Sequence, residues 1–289
     1  MGKRMVSTTG RGIRAWLSRR LGREGVVIPV VRLQGVIAAD QRPGRLNVVS
    51  VAPLLHKAFA DKAAPAVALI VNSPGGSPVQ SRLISKLIRD LADEKGKQVL
   101  VFVEDAAASG GYFIAVAGDE IIADPSSIVG SIGVIYAGFG FPAALEKLGI
   151  ERRVYTAGRN KSTLDPFAPA KPEDVERIKE YEVDIHNVFI GHVKARRGSR
   201  LKAADDQLFT GEWWPGVRGL ELGLVDTLGD MHQVLRERFG EKVRIRPIAE
   251  KKPLFNLPRF SLAGMTGAGL ASDALAAIED RALWSRLGL

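Results

Sequence analysis

Ser109 lies in the run Ala107-Ala108-Ser109-Gly110-Gly111-Tyr112, directly after an apolar, strand-like stretch and directly before a helix-like one. A hydroxyl at such a turn is held out from the backbone. The glycines beside it admit a carbonyl group and leave N–H groups free to face an oxyanion. The chemistry that suits this arrangement is nucleophilic attack on an acyl carbon. An alcohol needs a base for that, and the four histidines, His56, His186, His192 and His232, sit in no motif-like setting. A lysine is therefore the leading candidate.

A second Gly-rich turn, Asn72-Ser73-Pro74-Gly75-Gly76-Ser77, follows the apolar run Val67 to Val71. Strand ends in a parallel sheet line up along one edge, so this turn is able to supply a second oxyanion N–H opposite Ser109. Taken alone it is equally a tight connection between strand and helix. Ser131, in Gly130-Ser131-Ile132-Gly133, sits in an otherwise apolar stretch, where its hydroxyl either holds an amine in place or satisfies a neighbouring backbone group. Gly158-Arg159-Asn160-Lys161-Ser162 brings glycine, lysine and serine together, but it lacks the second glycine of a phosphate-binding G-x-x-x-x-G-K-[ST] loop. On spacing alone Lys161 is as readily a solvated side chain. Gly138-Phe139-Gly140 likewise lacks the third glycine of a dinucleotide turn.

These turns need a frame. From Val26 onward short β-branched runs alternate with longer segments of helical period, which predicts parallel strands joined by crossover helices, an α/β fold. Strands are expected at 27–33, 66–71, 98–103, 120–123 and about 151–156, with helices near 48–62, 79–95 and 109–117. A long polar helix is expected over 172–196, opened by Pro172, with an acidic first turn of Glu173, Asp174 and Glu176, and closed by basic residues before Gly198. His186 and His192, six residues apart on it, do not share a face as a metal pair would. Trp213 and Trp214 are expected to pack under a loop.

The chain of 289 residues is 46% hydrophobic and 25% charged, a globular composition long enough to bury a large core. It has no cysteine, which excludes disulfides and thiolate metal sites. No run approaches the roughly 18 to 20 apolar residues of a membrane span. The net charge of +9 is concentrated at the start, where seven basic residues from Lys3 to Arg23 face the single acid Glu24. Ile13, Trp16, Leu17 and Leu21 fall at helical spacing among them, the pattern of an amphipathic helix on an anionic membrane surface or of a basic tail. Nucleic-acid binding and a secretory signal are the weaker readings. Three divisions follow: a basic N-terminal segment at 1–25, a catalytic unit at 26–249, and a linker with terminal helix at 250–289. In the last, Leu270, Ala274, Leu275, Ile278, Leu283 and Trp284 form an apolar face suited to docking.

Taken in order, N-S-P-G-G, D-x(3)-S-G-G-Y with Ser109, G-S-I-G-V with Ser131 and G-R-N-K-S with Lys161 resemble the signal peptide peptidase A family of serine peptidases, peptidase family S49. The likeness extends through Phe209-Thr210-Gly211-Glu212 and the run Gly219 to Asp226, covering roughly residues 26 to 240. It implies a ClpP/crotonase-like fold with Ser109 as nucleophile, Lys161 as general base and Ser131 as the hydroxyl that orients the lysine amine. The implied oxyanion donors are Gly110 and one of Gly75 and Gly76, with Gly76 favoured.

A lysine acts as a base only when neutral, so its pKa must fall from about 10.4 toward 7, a penalty on the charged form of roughly 4 to 5 kcal/mol. Burial must impose it, and Asp165, only four residues from Lys161, should point away. The resemblance further implies a homo-oligomeric ring in which one protomer's lysine serves its neighbour's serine. The substrate would be unfolded or short peptides such as signal-peptide remnants, and the location cytoplasmic, with peripheral contact to the inner membrane through the basic N-terminal segment. No metal or organic cofactor is implied. The alternatives are a crotonase-like acyl-CoA enzyme, a phage-type maturation protease of the same fold, and an inactive structural relative.

Overall fold

The computed structural model describes residues 25–42, 44–249, 277–278 and 280–289. The basic N-terminal segment and most of 250–289, including Leu270, Ala274 and Leu275, lie outside the described residues. In chain order the elements are β1 (Val27–Gln34), α1 (Val48–Phe59), β2 (Ala66–Ser73), α2 (Pro78–Lys95), β3 (Gln98–Ala108), α3 (Gly110–Ala115), β4 (Glu120–Ala123) and β5 (Ile128–Gly130). There follow α4 (Pro142–Lys147), α5 (Pro172–Arg197), α6 (Asp205–Leu208), β6 (Trp213–Pro215), α7 (Gly216–Leu222), β7 (Thr227–Leu228), α8 (Met231–Phe239) and β8 (Arg244–Ile248).

The strands form one sheet in the order β6-β5-β3-β2-β1-β8, with β4 pairing β3 and β7. All pairs are parallel except β5 with β6. Parallel strands covered on both faces read as unbroken apolar runs, and Ala66-Val67-Ala68-Leu69-Ile70-Val71 on β2 is such a run. β3 is long enough to serve two partners. Leu100 to Val103 pair with β4, and Ala106 to Ala108 pair with β5.

On one face of the sheet α1, α2, α3 and the C-terminal half of α5 cover Val31, Leu69, Val101 and Ala107. On the other, α8 places Val234 and Leu235 over Ile28, Ala68 and Leu100. Local signals set the helix ends. Asn47 and Ser50 form a reciprocal capping box at α1, Ser77 caps α2 with Pro78 in its first turn, and Gly96 closes α2 in the left-handed conformation at φ 59°. At the chain's end Leu287 and Trp284 pack against Ala106, Ala108 and Ile128, and Asp280 pairs with Arg45 at 2.8 Å, while Ile278 is exposed.

The strand expected at about 151–156 does not form. Those residues have no regular structure and are exposed, with Arg153 paired to Glu151 and Arg152 to Asp165. The β-branched and aromatic pattern is present, but among the described residues no strand pairs with it. The place beside β3 goes to the short β5, whose antiparallel partner β6 carries Trp214. That residue is therefore a buried strand residue rather than packing under a loop, and Trp213 is exposed.

Candidate active site

Ser109 follows β3 directly, at φ 50°, ψ −119°, a conformation that non-glycine residues rarely adopt. Such strain costs on the order of 1–3 kcal/mol and persists only where the surroundings over-determine it. Here they do. The Ser109 N–H donates to Gly130 O at 2.9 Å, and the Ser109 carbonyl accepts from Phe113 N–H at 2.9 Å, which starts α3. The Tyr112 hydroxyl, fully buried, donates to Leu224 O at 2.8 Å, and burial pushes that phenol's pKa upward.

The turn after β2 meets this one backbone to backbone. A Cβ on Gly75 would stand 2.8 Å from both Gly110 N and Ser109 Cβ. The Gly75 N–H is already engaged, donating to Ser73 Oγ at 3.2 Å. Gly76 differs. Its neighbours are pinned on either side, because Ile37 N–H donates to Gly75 O and Ser77 N–H to Ile37 O at 2.8 and 2.7 Å, but among the described residues the Gly76 N–H meets no acceptor. Gly110 opens α3, and the first N–H of a helix has no intrahelical acceptor. Among the described residues the N–H groups of Gly76 and Gly110 thus have no acceptor, and the turns that carry them pack against each other at Ser109, where an oxyanion would need such donors. Asn72 braces the pair of turns, donating to Asp105 at 2.6 Å and accepting from Ala106 N–H at 3.3 Å. Sequence reading passed over that side chain. The Asn before one turn and the Asp before the other were the available signal.

Ser131 follows β5 as Ser109 follows β3, with Ala108 and Gly130 in register. Adjacent strands lie about 4.8 Å apart, so the two serines stand side by side. Ser131 is also strained, at φ 53°. Its N–H donates to Glu212 O at 2.7 Å and its carbonyl accepts from Gly133 N–H at 3.0 Å.

Lys161 is not brought to this point. It is exposed, in a turn on the arm of residues 134–171 that joins β5 to α5, and its N–H donates to Gly158 O. Among the described residues no hydrogen bond links it to Ser109 or Ser131. The turn leans on α5, where Arg177 donates to Asn160 at 3.1 Å and to Thr163 at 3.3 Å while pairing with Asp174 at 2.7 Å. Farther along α5, His186 Nε2 lies 3.0 Å from Ile132 O, beside Ser131. Nine residues separate Arg177 from His186, about 13 Å along a helix axis. Among the described residues Asp165 forms no ion pair with Lys161; it holds Arg152 at 2.9 Å and accepts from Phe167 N–H at 3.0 Å. That backbone donor, then Arg152, keeps the Asp165 carboxyl below its ordinary range. A groove of about 640 Å³ runs between arm and α5, lined by Tyr136, Phe139, Pro166, Val175 and Ile178, apart from Ser109. Among the described residues no group of three or more His, Asp or Glu is placed to hold a metal ion, and no helix is long and apolar enough to cross a membrane.

The model of peptidase family S49 matches residues 92–243, a stretch that holds Ser109, Ser131 and Lys161. A Brucella abortus protein named Na(+)/H(+) antiporter NhaA is 52% identical over 284 residues, covering 94% of this chain and 38% of that protein. Protease 4 of Haemophilus influenzae is 33% identical over 215 residues, covering 73% of this chain and 34% of its own length. The chain therefore spans little more than a third of these curated relatives. Among solved structures, a mutant of the 1510-N membrane-bound stomatin-specific protease aligns over 79% of this chain and 99% of its own, with a TM-score of 0.50 and 16% identity. The fold is thus the ClpP-like α/β fold.

Proposed function

The chain belongs to peptidase family S49, and on that premise we propose that it is a serine endopeptidase whose nucleophile is Ser109 and whose general base is Lys161 of a neighbouring protomer. The observation that carries the reading is the meeting of two strained serines, side by side at the sheet edge, with the unpaired N–H groups of Gly76 and Gly110. Ser109 Oγ attacks the scissile carbonyl as its proton passes to the neutral lysine amine. The oxyanion is received by the two N–H groups, and the lysine ammonium returns its proton to the departing amine. Water then repeats the sequence on the acyl-enzyme. Ser131 Oγ orients the amine.

Delivery from a neighbour is supported by the spacing along α5, where the contact to the Lys161 turn at Arg177 and the contact to the Ser131 loop at His186 are about 13 Å apart along the helix axis. It is supported too by the arm's exposed Ile135, Phe139, Leu148 and Tyr155, which ask for a covering surface. A lysine exposed in one chain becomes a base once a second chain buries it. Substrates of this reading are unfolded or short peptides, signal-peptide remnants among them, admitted to a ring that excludes folded proteins. The peptidase unit is residues 26–249, and the location is cytoplasmic with peripheral membrane contact. The antiporter name belongs to the Brucella protein; the family model over Ser109, Ser131 and Lys161 favours peptidase chemistry here.

A fluorophosphonate should label the full chain and fail to label Ser109→Ala. Peptide cleavage should fall several hundredfold or more in Lys161→Ala. Mixing Ser109→Ala chains with Lys161→Ala chains should restore part of the activity, because a shared site draws its serine from one and its lysine from the other. No restoration would place both groups in one chain. CoA-ester turnover that survives in Ser109→Ala would favour the crotonase-like alternative.

A further inference from the structure

Ser131 holds φ 53° only because its surroundings impose it, and one restraint comes from outside the sheet. His186, half-buried on α5, has Nε2 3.0 Å from the carbonyl oxygen of Ile132. A carbonyl only accepts, so Nε2 carries the proton. The same peptide unit is gripped at its other end, since the N–H of Gly133 donates to the carbonyl of Ser131 at 3.0 Å. Imidazole, Ile132–Gly133 peptide and Ser131 carbonyl thus form a chain of two hydrogen bonds ending on the strained residue. One helical turn earlier on the same face of α5, Glu182 accepts the N–H of Tyr136, so α5 holds residues 132 and 136 together. On the far side Glu212 O takes the Ser131 N–H, and a Cβ on Gly133 would stand 2.9 Å from Gly211 Cα, which leaves the loop little room to shift in that direction. Ile132 itself is fully buried. Among the described residues the imidazole is the one donor its carbonyl has.

We propose that His186 is a positioning residue of the peptidase site, fixing through the Ile132–Gly133 peptide the direction in which the Ser131 hydroxyl faces the incoming lysine amine. The inference rests on the reading of Ser131 as the amine-orienting group. An imidazole fits the task because its donor sits at the end of a short, stiff side chain, so a helix is able to hold a carbonyl without threading a flexible chain into the core.

The test is a double-mutant cycle on kcat in the assembled full-length chain. His186→Ala should lower kcat about tenfold with KM unchanged, the cost of one buried carbonyl left without its donor, and His186→Gln, which restores an N–H, should recover most of it. In a Ser131→Ala background His186→Ala should cost nothing further, because the group it positions is gone. Should His186→Ala not assemble, His186→Leu against His186→Gln makes the same comparison at similar bulk with and without a donor. Multiplicative losses in the cycle, or a kcat equal to wild type in His186→Leu, overturn the proposal. A Ser131→Ala enzyme with wild-type kcat would instead remove the role of Ser131, and this inference with it.

Discussion

The carboxyl end of the sheet and the arm of residues 134–171 are built on opposite terms. Around Ser109 nothing is loose: Ala107, Ala108 and Tyr112 are fully buried, and each turn is tied to the next by backbone hydrogen bonds of 2.7 to 3.0 Å. On the arm Phe139 is 80% exposed and Tyr155 90%, the one helix is the six-residue α4, and none of that helix is buried. A nucleophile and its oxyanion donors gain from being fixed in advance, since donors that need no reorganisation stabilise developing charge most. A base that works only when neutral gains from arriving in a pocket closed by assembly. Under the function proposed above, the division of labour between the two regions would also be a switch: an isolated chain would carry an organised serine without an organised base.

The sharpest way to break this contrast is to disturb the organised half. Gly76 adopts φ 136°, and a Cβ there would fall 2.0 Å from Ile37 O. Gly76→Ala must displace either the turn or its N–H, and losing one oxyanion donor costs about 10²–10³ in kcat. Steady-state kinetics should show that loss with KM little changed. Wild-type kcat in this variant would mean that the turn does not face the reaction.

The arm offers the next largest effect. Phe139→Ser combined with Tyr155→Ser removes two of its most exposed apolar side chains. Interface aromatics at hot spots are worth about 2 kcal/mol or more each, so self-association should weaken on the order of a hundredfold or more. Light scattering should show smaller particles and cleavage should fall with them, while the circular dichroism spectrum of the dissociated chain stays that of wild type. Unchanged assembly would show that these side chains are covered by something other than a second copy.

The same contrast explains what could be read in the amino-acid sequence. β1 to β4 are legible because burial on both faces demands continuous apolar runs, and the turns at Gly75-Gly76 and Ser109-Gly110 because glycine marks close backbone approach. The arm defeated the same logic. Val154-Tyr155-Thr156 has strand character, but a strand exists only if another edge accepts it, and pairing partners are not a local property. β5 was missed for the converse reason: three residues are too short to show a period, and their stability comes from β3 and β6. Strain at Ser131 leaves no compositional trace. His186 was weighed against His192 as a metal pair, whereas its physical relation is to Glu182, four residues earlier, a helical face that only tertiary contact makes meaningful.

The smallest effect bears on how α5 joins the organised half. His192 stacks on Phe113 with ring centroids 4.1 Å apart, and its Nε2 lies 3.1 Å from Ser85 Oγ and 3.2 Å from Phe113 O. Burial, with smaller contributions from Arg196 and Arg82, lowers its pKa to about 4, against some opposition from the Phe113 carbonyl. The unfolded chain, with histidine near 6.5, therefore takes up a proton that the folded chain refuses. Stability is unaffected by His192 above about pH 6.5 and declines as pH falls from there toward about 4, by about 2 kcal/mol once partial exposure is allowed for. His192→Gln keeps an N–H donor but cannot titrate. Thermal unfolding at about pH 7.5 and about pH 4.5, on either side of that decline, should show the wild-type midpoint falling farther than that of the variant, and parallel curves would show that the imidazole is solvated.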